Sequence, residues 1–259
     1  MVSEASIAAM AVSLILSAGV PIAAAVWCSS RYKKTFRNIL TGALIFIVFV
    51  LVLESSMHRY FLVTNFETSM ILDNPWIYAV YGAFAAGIFE ETGRFIGFKF
   101  LLRGRERWED GVAYGIGHGG IEALLIGGAT AAQNIYLSLM IRAGSLPEAF
   151  EQFRSALLGT APYIFLISGV ERMFAMTLQV ALSLLVLYGV REKKFRYVIY
   201  AVLIHAGVDF PAALYQKGVI SSILAIEGGL VIVAAASLYF IVRSRKAFNS
   251  KNEIAEEGF

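Results

Sequence analysis

The sequence is dominated by apolar stretches that are each long enough to cross a lipid bilayer. A membrane-spanning helix needs about 20 predominantly apolar residues. Seven stretches approach or exceed that length, at about 5–27, 39–62, 75–102, 112–141, 161–190, 197–215 and 219–242. An uninterrupted apolar stretch satisfies its backbone polar groups in lipid by forming a helix. We therefore expect an all-α, polytopic protein of about seven transmembrane helices, with residues 1–259 forming a single integral membrane domain.

Composition and loop charge support this expectation and predict an orientation. Apolar residues make up 58% of the chain and charged residues only 16%, whereas soluble domains average about 25% charged. Clusters of Lys and Arg at 31–37, 103–107, 191–196 and 243–251 fall on one side of a seven-helix arrangement. The positive-inside rule makes that side cytoplasmic. We expect an integral plasma membrane protein, surrounded by membrane lipids, with its N-terminus outside and its C-terminus in the cytoplasm. The net charge of +3 then belongs to these loops, so no nucleic-acid binding is expected.

The third apolar stretch contains three charged residues, Glu90, Glu91 and Arg94. A charge at bilayer depth costs about 2.5–3.5 kcal/mol on insertion scales and usually has a function. Arg94 follows Glu90 by four residues and Glu91 by three, so both carboxylates lie within its reach on a helix. The two carboxylates point about 100° apart around the helix axis. We predict that one of them is held by Arg94 while the other faces a cavity.

Two other apolar stretches each carry a histidine followed four residues later by a carboxylate. The pairs are His118 with Glu122 and His205 with Asp209. A spacing of four residues places both members on one face of a helix. With a rise of 1.5 Å per residue, these groups and the glutamate pair all lie roughly 10–20 Å from the basic loops. This agreement in depth predicts that the three helices bring them together in one site.

Three further features have simpler interpretations. Glu171 and Arg172 are adjacent in the fifth stretch and do not face each other on a helix, so we expect them to bond to different helices. Glu54 and His58, four residues apart near the outer end of the second stretch, are interpreted as an interfacial pair hydrated at the lipid headgroups. Apolar residues at helical spacing in 147–158 predict a short amphipathic helix on the outer surface.

The charged and histidine motifs together resemble those of the CPBP superfamily of intramembrane proteases, which includes the CAAX prenyl endopeptidases. The matching pattern is Glu90-Glu91-x-x-Arg94, Tyr114-x-x-x-His118 and His205-x-x-x-Asp209. The stretch Gly-His-Gly-Gly-Ile-Glu at 117–122 is more closely similar to the YhfC-type membrane peptidases. The arginine comes one residue earlier than in the CAAX endopeptidases, and Tyr114 stands where phenylalanine is usual. The resemblance covers the third to the sixth stretch.

This resemblance implies hydrolysis of a peptide or membrane-protein substrate inside the membrane. A buried glutamate can act as the general base that activates water, and we assign this role to Glu90, with Glu91 as the second catalytic carboxylate. Arg94 would anchor one of the pair. His118 and His205 would polarise the water and the scissile carbonyl. Glu122, Asp209, Glu171 and Arg172 would support them, with Asp209 orienting the ring of His205.

Two routes remain open for the histidines. They would act directly as imidazolium, or through a zinc ion held by His118, His205 and a carboxylate, with Glu122 or Glu91 as the third ligand. The sequence contains no His-Glu-x-x-His motif that would select the second route. A single hydrolytic site would require the third, fourth and sixth helices to pack together, with the two imidazoles about 4–7 Å apart so that one zinc or one water could bind both. It would also require a cavity open to the cytoplasm or laterally to lipid.

Two other classes of protein fit the same residues. In a proton- or cation-coupled transporter the Glu, His and Asp side chains would form a relay. Against this, the seven stretches show no clear inverted repeat of the kind many transporters contain. A non-catalytic immunity or receptor protein could also use the same fold, and it would tolerate the loss of every buried carboxylate.

Overall fold

The computed structural model describes the backbone of residues 1–256 and the side chains of residues 1–249. Within this part of the chain every regular element is helical. The long helices are α1 (Glu4–Arg31), α2 (Phe36–Thr64), α4 (Pro75–Ile96), α5 (Trp108–Ala143), α7 (Pro162–Arg191), α8 (Arg196–Gln216) and α9 (Ile223–Glu256). Two short helices are α3 (Phe66–Leu72) and α6 (Gln152–Gly159), and a 3₁₀ turn covers Glu148–Phe150. The prediction of an all-α, polytopic membrane protein is confirmed.

Six helices in the described residues are long and apolar enough to cross a membrane: α1, α2, α5, α7, α8 and α9, the last counted as far as Asn249. Helix α4 is not among them, because Glu90, Glu91 and Arg94 lower its hydropathy. Its 22 residues nevertheless span about 33 Å, close to the thickness of the hydrocarbon core. It begins where Asn74 caps the backbone N–H groups of Trp76 and Ile77. The helix count is thus near the predicted seven.

Turns of π-helix interrupt several of these long helices without ending them. They cover Ile15–Gly19 in α1, Ile47–Glu54 and Tyr60–Thr64 in α2, and Ala123–Gly128 in α5. A further π turn, Gly97–Leu101, extends α4 toward the loop that precedes α5. A π turn adds one residue to a turn and rotates the side chains that follow.

Glycines allow α5 to pack closely between two neighbours. A Cβ atom on Gly117 would collide with the backbone carbonyl of Ile39 on α2. A Cβ atom on Gly115 would lie 2.5 Å from the Cα atom of Val180 on α7. Small residues at such positions let membrane helices approach at the backbone. The glycines around His118 therefore set the position of α5, and with it the position of that histidine.

A continuous apolar core fills the end of the bundle that carries the basic loops. Its members come from α1, α2, α5, α7, α8, α9 and the turn after α4, and include Phe98, Leu102, Tyr114, Leu184, Leu187 and Val198. At the rim of this end, Asn38 donates to Asp110 at 2.9 Å and ties α2 to the start of α5. Asp110 also bonds Arg107, and this hydrogen bond raises the pKa of Arg107 above its ordinary value.

The short amphipathic helix predicted at 147–158 corresponds to the 3₁₀ turn and α6. Leu157 of α6 is buried in a second apolar cluster with residues of α1 and α5, including Met10, Leu137 and Ile141. The segment is therefore packed against the ends of membrane helices.

Candidate functional site

Glu90 is the centre of the polar site. Its Oε2 atom lies 2.9 Å from Nε2 of His118, 3.0 Å from Nε2 of Gln179 and 3.3 Å from Nη2 of Arg94. Its Oε1 atom lies 3.9 Å from Nε2 of His205. The residue is only 6% exposed. One carboxylate oxygen is thus held by three donors, while the other faces the second histidine.

Glu91 is fully buried and completes the contact with the eighth helix. Its Oε1 atom lies 2.8 Å from Nδ1 of His205 and 3.3 Å from Nη1 of Arg94. Arg94, itself 0% exposed, therefore bridges both carboxylates, where the sequence predicted that it would hold only one. Arg94 contacts both carboxylates because two adjacent buried negative charges need a shared cation.

His205 lies between acidic groups on both sides of its ring. Nδ1 contacts Glu91, and Nε2 lies 3.5 Å from Oδ2 of Asp209. Asp209 had been expected to orient this ring. The closer partner is Glu91, which lies at hydrogen-bond distance from Nδ1. Asp209 is 0.7 Å farther from its own ring nitrogen, Nε2, and forms only a longer ion-pair contact. Glu91 therefore directs Nε2 of His205 toward Glu90.

Gln179 on α7 was not anticipated from the sequence. It is 3% exposed, and its side-chain nitrogen donates to Glu90 at 3.0 Å and to Glu122 at 2.7 Å. Its side-chain oxygen accepts a hydrogen bond from Arg94. A glutamine within an apolar stretch gives a weaker signal than a charge, because burying an amide costs less than burying an ionised group. Only its place on a helix whose neighbouring turns carry Glu171 and Arg172 could have drawn attention to it.

The supporting residues Glu122, Glu171 and Arg172 form the edge of the same network. Arg172 lies 3.4 Å from Oε1 of Glu122 and also donates to Glu171. The prediction that Glu171 and Arg172 bond to different helices was therefore wrong for this contact. The long arginine side chain folds across its own helix, so a guanidinium can reach a neighbour that the Cβ directions place apart.

A cavity of about 480 Å³ adjoins this network. Glu90, Gln179, Glu122, His205 and Asp209 line it, together with Glu171 and Arg172. Its lining does not include Glu91, Arg94 or His118, which support Glu90 and His205 from behind. The cavity continues past the site to His58, Tyr78, Tyr81 and Gln216. These residues lie toward the ends of α2, α4 and α8 that are far from the basic loops. This direction differs from an opening on the side of the basic loops, one of the two openings expected, while the lateral opening to lipid stays a prediction.

The three predicted helices do meet, with one difference in the manner of contact. Helix α4 packs along α8, and Gly87 lies against the backbone of Val202 there. Helix α5 contacts α4 through the side chain of His118, which bonds Glu90. Helix α7 packs on α5 and supplies Gln179, which donates to Glu90 of α4 and Glu122 of α5. The contacts of both histidines with one carboxylate bring Glu90, Glu91, His118 and His205 into a single network.

The donor set has the chemistry of a zinc site but not its arrangement. Two imidazoles and a carboxylate are a known catalytic zinc set, and His205 has the buried carboxylate partner that a zinc-bound histidine usually has on its other nitrogen. The second ring nitrogen of His118, Nδ1, is buried without such a partner. Within the described residues, no three His, Cys, Asp or Glu side chains are grouped as metal ligands. Both oxygens of Glu122 are bound by Gln179 and Arg172.

These features define a polytopic α-helical membrane protein with a carboxylate–histidine site beside a cavity within the helical bundle. The profile of the family described as "YhfC intramembrane metalloprotease" matches residues 16–230, and the chain belongs to this family. It is 35% identical over 257 residues to "Uncharacterized membrane protein YhfC" of Bacillus subtilis (strain 168), covering 96% of this chain and 100% of the relative. No solved structure matches the chain.

Proposed function

We propose that this protein is an intramembrane protease that hydrolyses peptide bonds of a peptide or membrane-protein substrate in the cavity beside Glu90. The observation that carries the proposal is the position of the Glu90 carboxylate. One oxygen is held by Arg94, His118 and Gln179, and the other is directed at the cavity wall next to His205. A general base needs such a fixed orientation at a surface that water and substrate can reach. The family's description as an intramembrane metalloprotease supports peptide-bond hydrolysis as the reaction.

The reaction follows from this arrangement. Glu90 takes a proton from a water molecule in the cavity, and the resulting hydroxide adds to the carbonyl carbon of the scissile bond. Nε2 of His205, held in place through Glu91, donates to the developing oxyanion. Glu90 then returns the proton to the amide nitrogen, the C–N bond breaks, and a carboxyl group and an amine are released. His118, Arg94 and Gln179 hold Glu90 in one orientation throughout.

The zinc route predicted from the sequence uses His118, His205 and Glu122 or Glu91, whose side chains are not grouped as metal ligands in the described part of the chain. When bound, zinc would polarise the carbonyl and acidify its bound water. Metal analysis of the purified protein and of a His118→Ala/His205→Ala double variant decides between this route and the metal-free one. About one zinc per wild-type chain and none in the double variant selects zinc. An active protein without metal selects imidazolium.

The transporter alternative has less support. A relay would need polar groups on both sides of the site, and between Arg94 and the basic loops lies an apolar core that includes Phe98, Leu102 and Leu187. No observation favours a purely binding role over hydrolysis.

Profiling of new protein N-termini in cell membranes tests the proposal. Cells that express the wild-type protein should contain cleavage products that are absent from cells expressing Glu90→Gln at equal abundance. Glu67→Gln is a suitable control, because Glu67 is an exposed carboxylate in the short helix α3, outside the cavity lining. Identical N-terminal profiles for wild type and Glu90→Gln would overturn the assignment.

A further inference from the structure

We propose that substrate reaches Glu90 from the membrane face opposite the basic loops, and that a Tyr81–His58–Glu54 chain at that mouth contacts the bound polypeptide. By the charge of the loops, the face in question is extracytoplasmic. That the ligand is a polypeptide rests on the proposed function, but the direction of access does not.

The helices around the cavity give its direction. Gln216 is the last residue of α8, which starts at Arg196 beside a basic loop, so it lies about 30 Å along the helix from that loop. His58 lies 22 positions after Phe36 at the basic end of α2, which is about 33 Å by the same rise. Both residues line the cavity, and the side chain of Gln216 is exposed. The cavity therefore extends from mid-membrane to the far end of the bundle.

The opposite direction is closed by packing. Between Glu90 and the basic loops lie Phe98, Leu102, Tyr114 and Leu187, each at most 2% exposed. These side chains belong to one apolar cluster contributed by α5, α7 and the turn after α4. Protein cores of this kind contain few voids larger than a water molecule. A substrate arriving from the cytoplasm would have to open this core.

The mouth of the cavity carries a second polar chain. Nε2 of His58 lies 3.1 Å from Oε1 of Glu54, and Nδ1 of His58 lies 2.8 Å from the hydroxyl of Tyr81. Glu54 is only 6% exposed, and its Oε2 atom is buried without a hydrogen-bond partner among the described residues. The predicted pairing of Glu54 with His58 is present, but the interpretation that it is hydrated was wrong for Glu54, whereas the side chain of His58 is 31% exposed. A buried carboxylate in a membrane helix is costly and usually serves a function.

The hydrogen bonds from Glu54 through His58 to Tyr81 indicate which atoms of the Tyr81 hydroxyl can contact a ligand. In the neutral tautomer of His58 whose Nε2 donates to Glu54, Nδ1 accepts from the Tyr81 hydroxyl. The lone pairs of that hydroxyl remain available on the side of the cavity, which Tyr81 and His58 both line. They can accept a hydrogen bond from a backbone N–H group. This is a contact with an extended peptide that does not depend on its side chains.

The spacing along α4 places this contact relative to the scissile bond. Tyr81 precedes Glu90 by nine residues, or about 13.5 Å of helix. An extended peptide covers about 3.3–3.6 Å per residue. A polypeptide running along α4 with its scissile bond at Glu90 would therefore meet Tyr81 about four residues away.

Thiol labelling tests the direction of access without requiring proteolysis. The background is Cys28→Ala, which removes the single cysteine. Two cysteines are then introduced singly. Gly82→Cys is at a position that lines the cavity, and Gly207→Cys is at an exposed position on α8 outside the lining. A Cβ atom at either position meets nothing within 4 Å. Glu106→Cys marks the basic face. Each variant is treated with a membrane-impermeant, charged methanethiosulfonate reagent in intact cells and in inside-out vesicles.

We expect Gly82→Cys to react from the face opposite to the one that labels Glu106→Cys, at least 10-fold faster than Gly207→Cys. Reaction of Gly82→Cys from the same face as Glu106→Cys would overturn the proposal, and so would reaction from neither face. Because labelling needs no activity, this outcome is separate from a failure to find cleavage products.

Peptide length and the Tyr81 hydroxyl test the contact. The probes are internally quenched peptides that span a cleavage site found by N-terminal profiling. For peptides reaching at least four residues on both sides of the scissile bond, Tyr81→Phe should raise KM about 3–10-fold with kcat unchanged, as expected for one lost hydrogen bond. Peptides cut to two residues on each side should not distinguish Tyr81→Phe from wild type. Tyr136→Phe, an exposed tyrosine outside the cavity lining, is the control. An unchanged KM for the long peptides would refute the contact.

Discussion

At Gln179 a single amide serves three charged side chains. Its nitrogen donates to Glu90 and Glu122, and its oxygen accepts from Arg94. No carboxylate can supply the two donors, and no amine can supply the acceptor. The amide therefore keeps two carboxylates apart while connecting both to the guanidinium.

Gln179→Met tests this role, because methionine has a similar volume but forms none of these hydrogen bonds. Leaving buried polar groups without partners costs about 1–3 kcal/mol, so we expect a lower unfolding midpoint and slower cleavage. Gln133→Met, at an exposed glutamine of α5, is the matched control. Equal thermal stability and equal cleavage in Gln179→Met and wild type would show that the amide has no such role.

Arg94 neutralises both glutamates, and its substitutions should separate geometry from charge. Arg94→Lys keeps the charge but loses the planar two-point contact, so we expect reduced cleavage in a folded protein. Arg94→Leu leaves the buried carboxylates without a cation, which costs about 3–5 kcal/mol, and should lower the yield of folded protein. Cleavage rates measure the effect of Arg94→Lys. Size-exclusion profiles and unfolding midpoints measure the effect of Arg94→Leu. A stable, active Arg94→Leu variant would contradict the coupling.

At this scale the sequence could predict contacts that lie within one helix. The contacts of Arg94 with Glu90 and Glu91, and of His205 with Asp209, follow from spacings of three and four residues. The contacts of Glu90 with His118 and Gln179 join different helices. Depth along the helices pointed to His118, but it could not select Gln179 from the uncharged residues of α7.

The position of helix α5 depends on close contacts at glycines. Gly117 faces the carbonyl of Ile39, Gly42 faces the carbonyl of Tyr114, and His118 lies beside both contacts. The sequence predicted close approach from the number of glycines. It could not predict which helices would approach, because a glycine shows the same pattern whichever neighbour it contacts.

Gly117→Ala should therefore separate α5 from α2 and shift His118. Overpacking in a close contact costs about 1–3 kcal/mol, and the displaced histidine should slow cleavage as well. Gly207→Ala, where a Cβ atom meets nothing within 4 Å, is the control. Unfolding midpoints in detergent and cleavage rates are the measurements. If Gly117→Ala behaved like Gly207→Ala, the glycine contact would not set the site.

For the molecule as a whole, the apolar segments predicted the helices. Helix α4 is the exception to selection by hydropathy, because it is not among the six helices apolar enough to cross a membrane. The charges that lower its hydropathy are the charges of the site. The cavity was harder to predict, since its direction depends on which end of the bundle is filled. Phe98, Leu102 and Leu187 fill the basic end, whereas Tyr78, Tyr81 and Gln216 line the cavity toward the other. Which end is filled depends on packing between helices, which the pattern of a single helix does not show.

The most direct test of the account is the cleavage rate of the purified protein in lipid nanodiscs, measured on a substrate identified by N-terminal profiling. Wild type and Glu90→Gln are compared at equal unfolding midpoints, with Glu67→Gln as the control. Loss of a general base slows catalysis about 10²–10⁴-fold, so Glu90→Gln should cleave at least 100-fold more slowly, while Glu67→Gln stays within about twofold of wild type. A folded Glu90→Gln variant that cleaves at the wild-type rate would contradict the account.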